Sequence, residues 1–284
     1  MKINLAEHSG FCIGVKNAIS KISKEIECNA PKAISVYGPL IHNPQVLEAL
    51  SEKGLLTINK LTNIDNKIIA IRTHGITVKE LEFLRKHTKR IINLTCPKVS
   101  KVQAIIKSHS NKEYFVIIVG DKNHAEVKSL KSFAENGCKV ISSCKGIKNI
   151  PVASKYLLVS QTTFDKEIFN QIKDILKLKF KHIVIKDTIC DSTSHRQDDL
   201  LKAQEKGINT LIVVGGKNSA NTRRLAEIGK NYGFKTYHIE TKFELNNLQF
   251  EKNDSVLVTG GASTPEWIIH DVLGELKKQS LNKN

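Results

Sequence analysis

Residues 115–127 read FVIIVGDKNHAEV, and residues 210–222 read TLIVVGGKNSANT. Each is a short, largely β-branched run, then glycine, then a small polar cluster, then helix-forming sequence. A strand that is apolar on both faces and hands over to a helix through a glycine loop belongs in a parallel sheet covered by helices. Two such stretches that nearly align residue by residue indicate an internal repeat.

The same layout recurs a third time, in AISVYGPLIHN at 33–43. A cysteine heads each copy: Cys12 precedes His42 by 30 residues, Cys96 precedes His124 by 28, and Cys190 precedes Ser219 by 29. Each copy continues to a second strand-like run with a polar end: His74 in IIAIRTHG, Thr162 in LLVSQTT and Ser263 in VLVTGGAS. Three units, each carrying one thiol and two polar strand ends, predict a pseudo-threefold molecule whose axis would hold a metal bound by three cysteines. The expected class is α/β: three small parallel-sheet α/β domains about a pseudo-threefold axis. Expected boundaries are 1–95 (Cys12, His42, His74), 96–189 (Cys96, His124, Glu126, Thr162) and 190–276 (Cys190, Ser219, Asn221, Ser263). The polar end, 277–284, reads as a disordered tail. One long doubly wound sheet fits the alternation as well, but the repeated spacing favours three domains.

Strand-like runs from KINLA to SVLVTGG alternate with amphipathic segments such as KEIFNQIKDILKLKF and TRRLAEIGKNYG. Several of the segments close on a glycine suited to a helix C-cap, at Gly54, Gly207 and Gly233. In open parallel sheets ligands gather beyond the carboxyl ends of the strands. The clusters YGPLIHN, RTHG, VGDKNH, SQTT, GGKNSAN and TGGAST all fall at that edge, where the next helix offers free N–H groups to an anion.

The chain of 284 residues has 40% apolar and 25% charged residues, the balance of an ordinary globular protein. The start, MKINLAEHSG, shows no basic region leading into a long apolar run, and no apolar stretch reaches membrane-spanning length, so a cytoplasmic protein with no membrane partner is expected. Its six cysteines should then be thiols or metal ligands. The formal charge of +16 raises nucleic-acid binding. Scattered lysines and only 6% aromatic residues favour a solvated basic surface instead, one that attracts small anions such as a diphosphate.

A single cysteine is most simply a buried thiol. Equal placement in three repeats points instead to a metal, zinc or iron–sulfur. Structural zinc usually takes four ligands with a close C-x-x-C pair, which this chain lacks, whereas three widely spaced thiolates suit a cubane cluster with one open iron. Cys28, Cys138 and Cys144 have no counterparts across the repeats and read as structural. His42, His74 and His124, with Ser219, Asn221 and Ser263, would form a nest of donors for phosphate oxygens. Glu126 is either a proton donor with a raised pKa or an ordinary helix-start glutamate. The triplet His124-Ala125-Glu126 begins a zinc-deaminase signature, but no P-C-x-x-C follows.

The segments GFCIGV, HNPQV, THG, TCPKV, GDKNHAEV, SQTT, TICDST, GGKNSANT and GGAST run in order from residue 10 to about 265, and with them the chain closely resembles the 4-hydroxy-3-methylbut-2-enyl diphosphate reductases. The resemblance implies a trefoil around one 4Fe-4S cluster with three cysteine ligands, Cys12, Cys96 and Cys190, and an open fourth iron that takes the substrate's allylic hydroxyl. It implies that His42, His74, His124, Ser219, Asn221 and Ser263 hold the diphosphate, that Thr162 contacts the hydroxyl and relays a proton, and that Glu126 supplies it. Two electrons, from ferredoxin or flavodoxin, would expel water and leave an allyl anion whose protonation gives isopentenyl or dimethylallyl diphosphate. A monomer is expected. Ala220, His195 and Asn17 stand where many relatives carry serine, asparagine and arginine. The competing reading is a non-catalytic, nucleic-acid-binding iron–sulfur protein.

Overall fold

The computed structural model describes residues 1–29, 33–251 and 253–281. Among them the chain forms three four-stranded parallel sheets. The first contains β2 (Ile34–Tyr37), β3 (Leu56–Ile58), β4 (Ile68–Ile71) and β5 (Arg90–Asn93), ordered β3-β2-β4-β5. The second contains β6 (Phe115–Val119), β7 (Cys138–Ile141), β8 (Tyr156–Ser160) and β9 (Ile183–Ile185), ordered β7-β6-β8-β9. The third takes β10 (Thr210–Val214), β11 (Lys235–Ile239) and β12 (Ser255–Gly260), and its fourth strand is β1 (Lys2–Leu5), in the order β1-β12-β10-β11.

The strand order is thus the same three times, with the N-terminal strand completing the last sheet. This differs from the 1–95 grouping expected for the first domain. Lys2 to Leu5 pair in parallel register with Ser255 to Val258, far away in sequence. A five-residue window carries no sign of its partner, so adjacency in the chain was the wrong guide. The backbone clusters into two compact units: Met1–Lys16, Ile41–Leu47 and Asp191 onward form one, and Asn17–Leu40 with Glu48–Cys190 form the other.

Nine helices connect the strands: α1 (Ile13–Glu27), α2 (Pro44–Glu52), α3 (Val78–His87), α4 (Pro97–Ser110), α5 (Ala125–Lys131), α6 (Lys166–Lys179), α7 (Asp191–Glu205), α8 (Ala220–Asn231) and α9 (Glu266–Leu281), counted among the described residues. The two-sided burial expected of β6 is present. Ile117 and Val119 pack with Phe169, Ile172 and Leu176 of α6, while Val116 and Ile118 face Val102 and Ile106 of α4. In the third sheet Ile212 and Val214 join Ile269, Val272 and Leu276 of α9, and Leu211 and Val213 join Leu225 and Ile228 of α8.

Gly207, at φ +71° after α7, has open space where a Cβ would stand, so the left-handed backbone alone calls for glycine. The tail differs from expectation: Lys277–Leu281 continues α9, with Leu276 buried and the Ser280 hydroxyl on the Met1 carbonyl at 3.4 Å. KKQSL contains no proline or glycine to stop a helix. Residues 282–284 lie outside the described residues. No helix of the described residues is long and apolar enough to cross a membrane.

Candidate active site

The unit built on the third sheet gathers Cys12, His42, Ser219, Asn221 and Ser263. The loop at 215–219 joins β10 to α8, and Ser219 caps the helix by accepting the Thr222 N–H at 3.4 Å. Ser263, beyond the end of β12, donates from its hydroxyl to the His42 carbonyl at 3.2 Å and lies 3.4 Å from the Ser219 hydroxyl. A Cβ at Gly216 would stand 2.4 Å from that same His42 carbonyl, so only glycine lets the two loops approach. Asn221, in the first turn of α8, is buried, and its Nδ2 has no hydrogen-bond partner among the described residues. A buried amide donor left open beside two hydroxyls is a ready seat for an anionic oxygen. Ala220 occupies the first position of α8, where a backbone N–H is available.

The other unit gathers Cys96, Cys190, His74, His124, Glu126 and Thr162. Glu126 is 1% exposed. One carboxyl oxygen accepts the Thr162 N–H at 2.6 Å, and the other accepts the Thr162 hydroxyl at 2.9 Å. Burial pushes the Glu126 carboxyl up to about 7, against the lowering effect of both Thr162 hydrogen bonds. The group is therefore poised between acid and base near neutral pH. His124 caps α5 by accepting the Glu126 N–H on Nδ1 at 3.3 Å. That bond places the ring proton on Nε2 and makes that edge a donor. The His74 ring meets His124 edge-on at 5.2 Å.

The cysteines share a backbone signature. Cys12 N–H binds the Ala262 carbonyl at 3.1 Å, Cys96 N–H the Thr73 carbonyl at 2.9 Å, and Cys190 N–H the Thr162 carbonyl at 2.9 Å. Each partner is either a polar strand-end residue of the repeat or the residue before one. All six cysteines are thiols rather than disulfides, and these three are half-buried. Burial pushes the Cys138 thiol up to about 12, consistent with an inert packing residue.

Two supporting residues escaped the sequence reading. Asn43 caps α2 through Oδ1 on the Val46 N–H at 3.0 Å, which fixes the chain beside His42. Gln161 accepts the Asp121 N–H at 3.0 Å and donates to Thr163 at 2.9 Å, tying the loop before His124 to the one carrying Thr162. Both lie in the motifs HNPQV and SQTT, where His42 and Thr162 are the more distinctive residue types.

The family model described as "LytB protein" matches residues 3–277. The chain belongs to the LytB family, the 4-hydroxy-3-methylbut-2-enyl diphosphate reductases. The reductase of that name from Thermoanaerobacter sp. (strain X514) is 39% identical over 282 residues, which cover 98% of this chain and 97% of the relative. Among solved structures, the E-1-hydroxy-2-methyl-but-2-enyl-4-diphosphate reductase of Plasmodium falciparum superposes with a TM-score of 0.92 at 29% identity, covering 97% of this chain and 88% of the other. A second, described as (E)-4-hydroxy-3-methyl-but-2-enyl diphosphate reductase, the terminal enzyme of the non-mevalonate pathway, gives 0.69 at 34% identity over 98% and 100% of the two chains. Three parallel-sheet α/β units are therefore this LytB chain's family architecture.

Proposed function

We propose that this LytB chain reduces 4-hydroxy-3-methylbut-2-enyl diphosphate to isopentenyl and dimethylallyl diphosphate, with electrons from ferredoxin or flavodoxin. The observation that carries the reading is the chain of contacts from Glu126 through Thr162 to Cys190. A buried carboxyl with its pKa raised to about 7, a hydroxyl and a thiol-bearing residue are joined by hydrogen bonds of 2.6–2.9 Å.

The donor set fits an iron–sulfur group: three soft thiols, each with its N–H pinned at a strand end and none in a C-x-x-C pair. A 4Fe-4S cluster on Cys12, Cys96 and Cys190, with its fourth iron open, would supply electrons and Lewis acidity to the substrate hydroxyl. The remaining work falls to the protein's own side chains. Asn221 Nδ2, the Ser219 and Ser263 hydroxyls, His124 Nε2–H, His42 and His74 would hold the diphosphate, drawn in by the net charge of +16. Thr162 Oγ1 would orient the allylic hydroxyl and pass it a proton from Glu126, so that oxygen leaves as water. Burial of Glu126 and Thr162 keeps bulk water from that proton path.

The competing nucleic-acid-binding reading rests on the net charge of +16 alone, and the family membership does not support it. An anaerobic incubation with substrate and reductant, followed by product chromatography, tests the proposal. Both five-carbon diphosphates are expected, and an intact cluster that yields neither overturns it.

A further inference from the structure

The segment His8-Ser9-Gly10, which leads into Cys12, is held at both ends by one helix. Asp199 of α7 accepts the His8 N–H at 2.7 Å and His8 Nδ1 at 3.1 Å. Arg196, three residues earlier on the same face of α7, donates from Nη2 to the Gly10 carbonyl at 2.6 Å. Its Nε donates to the Gly260 carbonyl at 3.2 Å, and its Nη1 to the Ser192 carbonyl at 2.7 Å and to the Ser192 hydroxyl. Both side chains are buried, Arg196 at 4% exposure and Asp199 at 6%. His195, from the same helix, lays its ring 4.8 Å from that of His8.

The carbonyls that Arg196 holds are not arbitrary. Gly10 lies two residues before Cys12, and Gly260 two before Ala262, whose carbonyl receives the Cys12 N–H. One guanidinium therefore fixes the approach to both ends of the hydrogen bond that seats Cys12. Gly10 takes a left-handed turn at φ +86°, a backbone that residues with a Cβ rarely adopt, so glycine is called for there. Burying a guanidinium is expensive, and a helix is joined to a strand end at lower cost by apolar packing. The rigid fork offers what packing does not: several donors in one plane that aim separate carbonyls at once.

We infer that Arg196 is a positioning residue for Cys12, and that Asp199 acts with it by holding the other end of the segment. The pair fixes where the Cys12 thiolate stands, and the Arg196 charge enters its surroundings. This inference rests on the reading of Cys12 as a cluster ligand.

The test uses anaerobically reconstituted full-length protein as wild type, Arg196→Lys, Arg196→Met, Asp199→Asn and Cys12→Ser. The readouts are iron per chain, rate of iron release to a chelator, the paramagnetic resonance spectrum of the reduced cluster, its midpoint potential and the melting temperature of the apoprotein. Arg196→Lys keeps the charge and loses the fork, and should release iron at least about tenfold faster with an altered spectrum. Arg196→Met also removes the charge, and its midpoint should move to more negative potential. Asp199→Asn preserves shape and an acceptor for the His8 N–H, so it should fold and release iron several-fold faster.

Wild-type release rate, spectrum and potential in the variants that fold, whatever their melting temperatures, would reduce the clamp to a structural contact and overturn the inference. Full iron with a wild-type spectrum in Cys12→Ser would instead show that the ligand reading itself had failed. The two failures are thereby told apart.

Discussion

At the scale of single residues, Glu126 sets the strongest expectations. Burial pushes its carboxyl up to about 7 from an ordinary value of 4.5. In the proposed mechanism Glu126 acts in its protonated form, so turnover should fall as pH rises through about 7. Glu126→Gln should lose that limb of the pH profile and slow turnover at least about a hundredfold, with iron per chain unchanged. Full turnover in Glu126→Gln would remove the residue from the mechanism. The same shift bears on stability. A pKa raised on folding gives stability that is complete below about 4.5 and is lost as pH climbs through 7, on the order of 3 kcal/mol in the apoprotein. Apoprotein melts at pH 5 and pH 8 should therefore differ more for wild type than for Glu126→Gln. Asn221 makes a separate case. If its open Nδ2 binds a diphosphate oxygen, Asn221→Ala should raise KM roughly tenfold or more and leave the iron content alone.

The residues proposed for the site stand out in the sequence because their types are unusual at strand ends: histidine, glutamate and cysteine after apolar runs. Asn43 and Gln161 do not, since asparagine and glutamine at loop positions usually just cap or turn. Glu126 stood between two readings until its surroundings were known. A glutamate in the first turn of a helix is commonplace, and only burial beside Thr162 separates it from the ordinary kind.

At the scale of elements, the fully apolar strands were the clearest feature of the chain. β6, β8 and β10 are buried along almost their entire length, and such runs have no polar face to confuse the period. β3 escaped notice because Leu56–Ile58 is three residues long and mostly exposed, leaving no pattern to read. The carboxyl end departs from expectation: its polar composition reads as disorder, yet Leu276 and Ser280 anchor the last turns of α9. Core positions should behave accordingly. Ile117→Ala, at 0% exposure between α6 and β8 side chains, should cost about 2–5 kcal/mol in denaturant melts. Gly216→Ala should act locally: its Cβ would press the His42 carbonyl, shifting that loop and raising KM more than it lowers stability. Equal KM in the variant would show that the His42 loop yields without consequence.

At the scale of the whole molecule, the repeat visible in three cysteine spacings became three sheets of one strand order. It became as well three equivalent hydrogen bonds from cysteine N–H groups to strand-end carbonyls. What a sequence repeat does not reveal is that the last unit borrows its fourth strand from the beginning of the chain, because strand pairing is long-range and local composition carries no address. The repeat also divides the cysteines into two groups. Cys12→Ser, Cys96→Ser and Cys190→Ser should each lower iron per chain, whereas Cys28→Ser, Cys138→Ser and Cys144→Ser should leave it unchanged. Loss of iron from any of the second group would contradict the choice of ligands.

The most direct test is anaerobic turnover of the purified protein with 4-hydroxy-3-methylbut-2-enyl diphosphate and a low-potential one-electron dye, with iron and sulfide measured on the same sample. The account predicts substrate-dependent oxidation of the dye at about four irons per chain. A sample with its iron and sulfide complete and no substrate-dependent oxidation would contradict it.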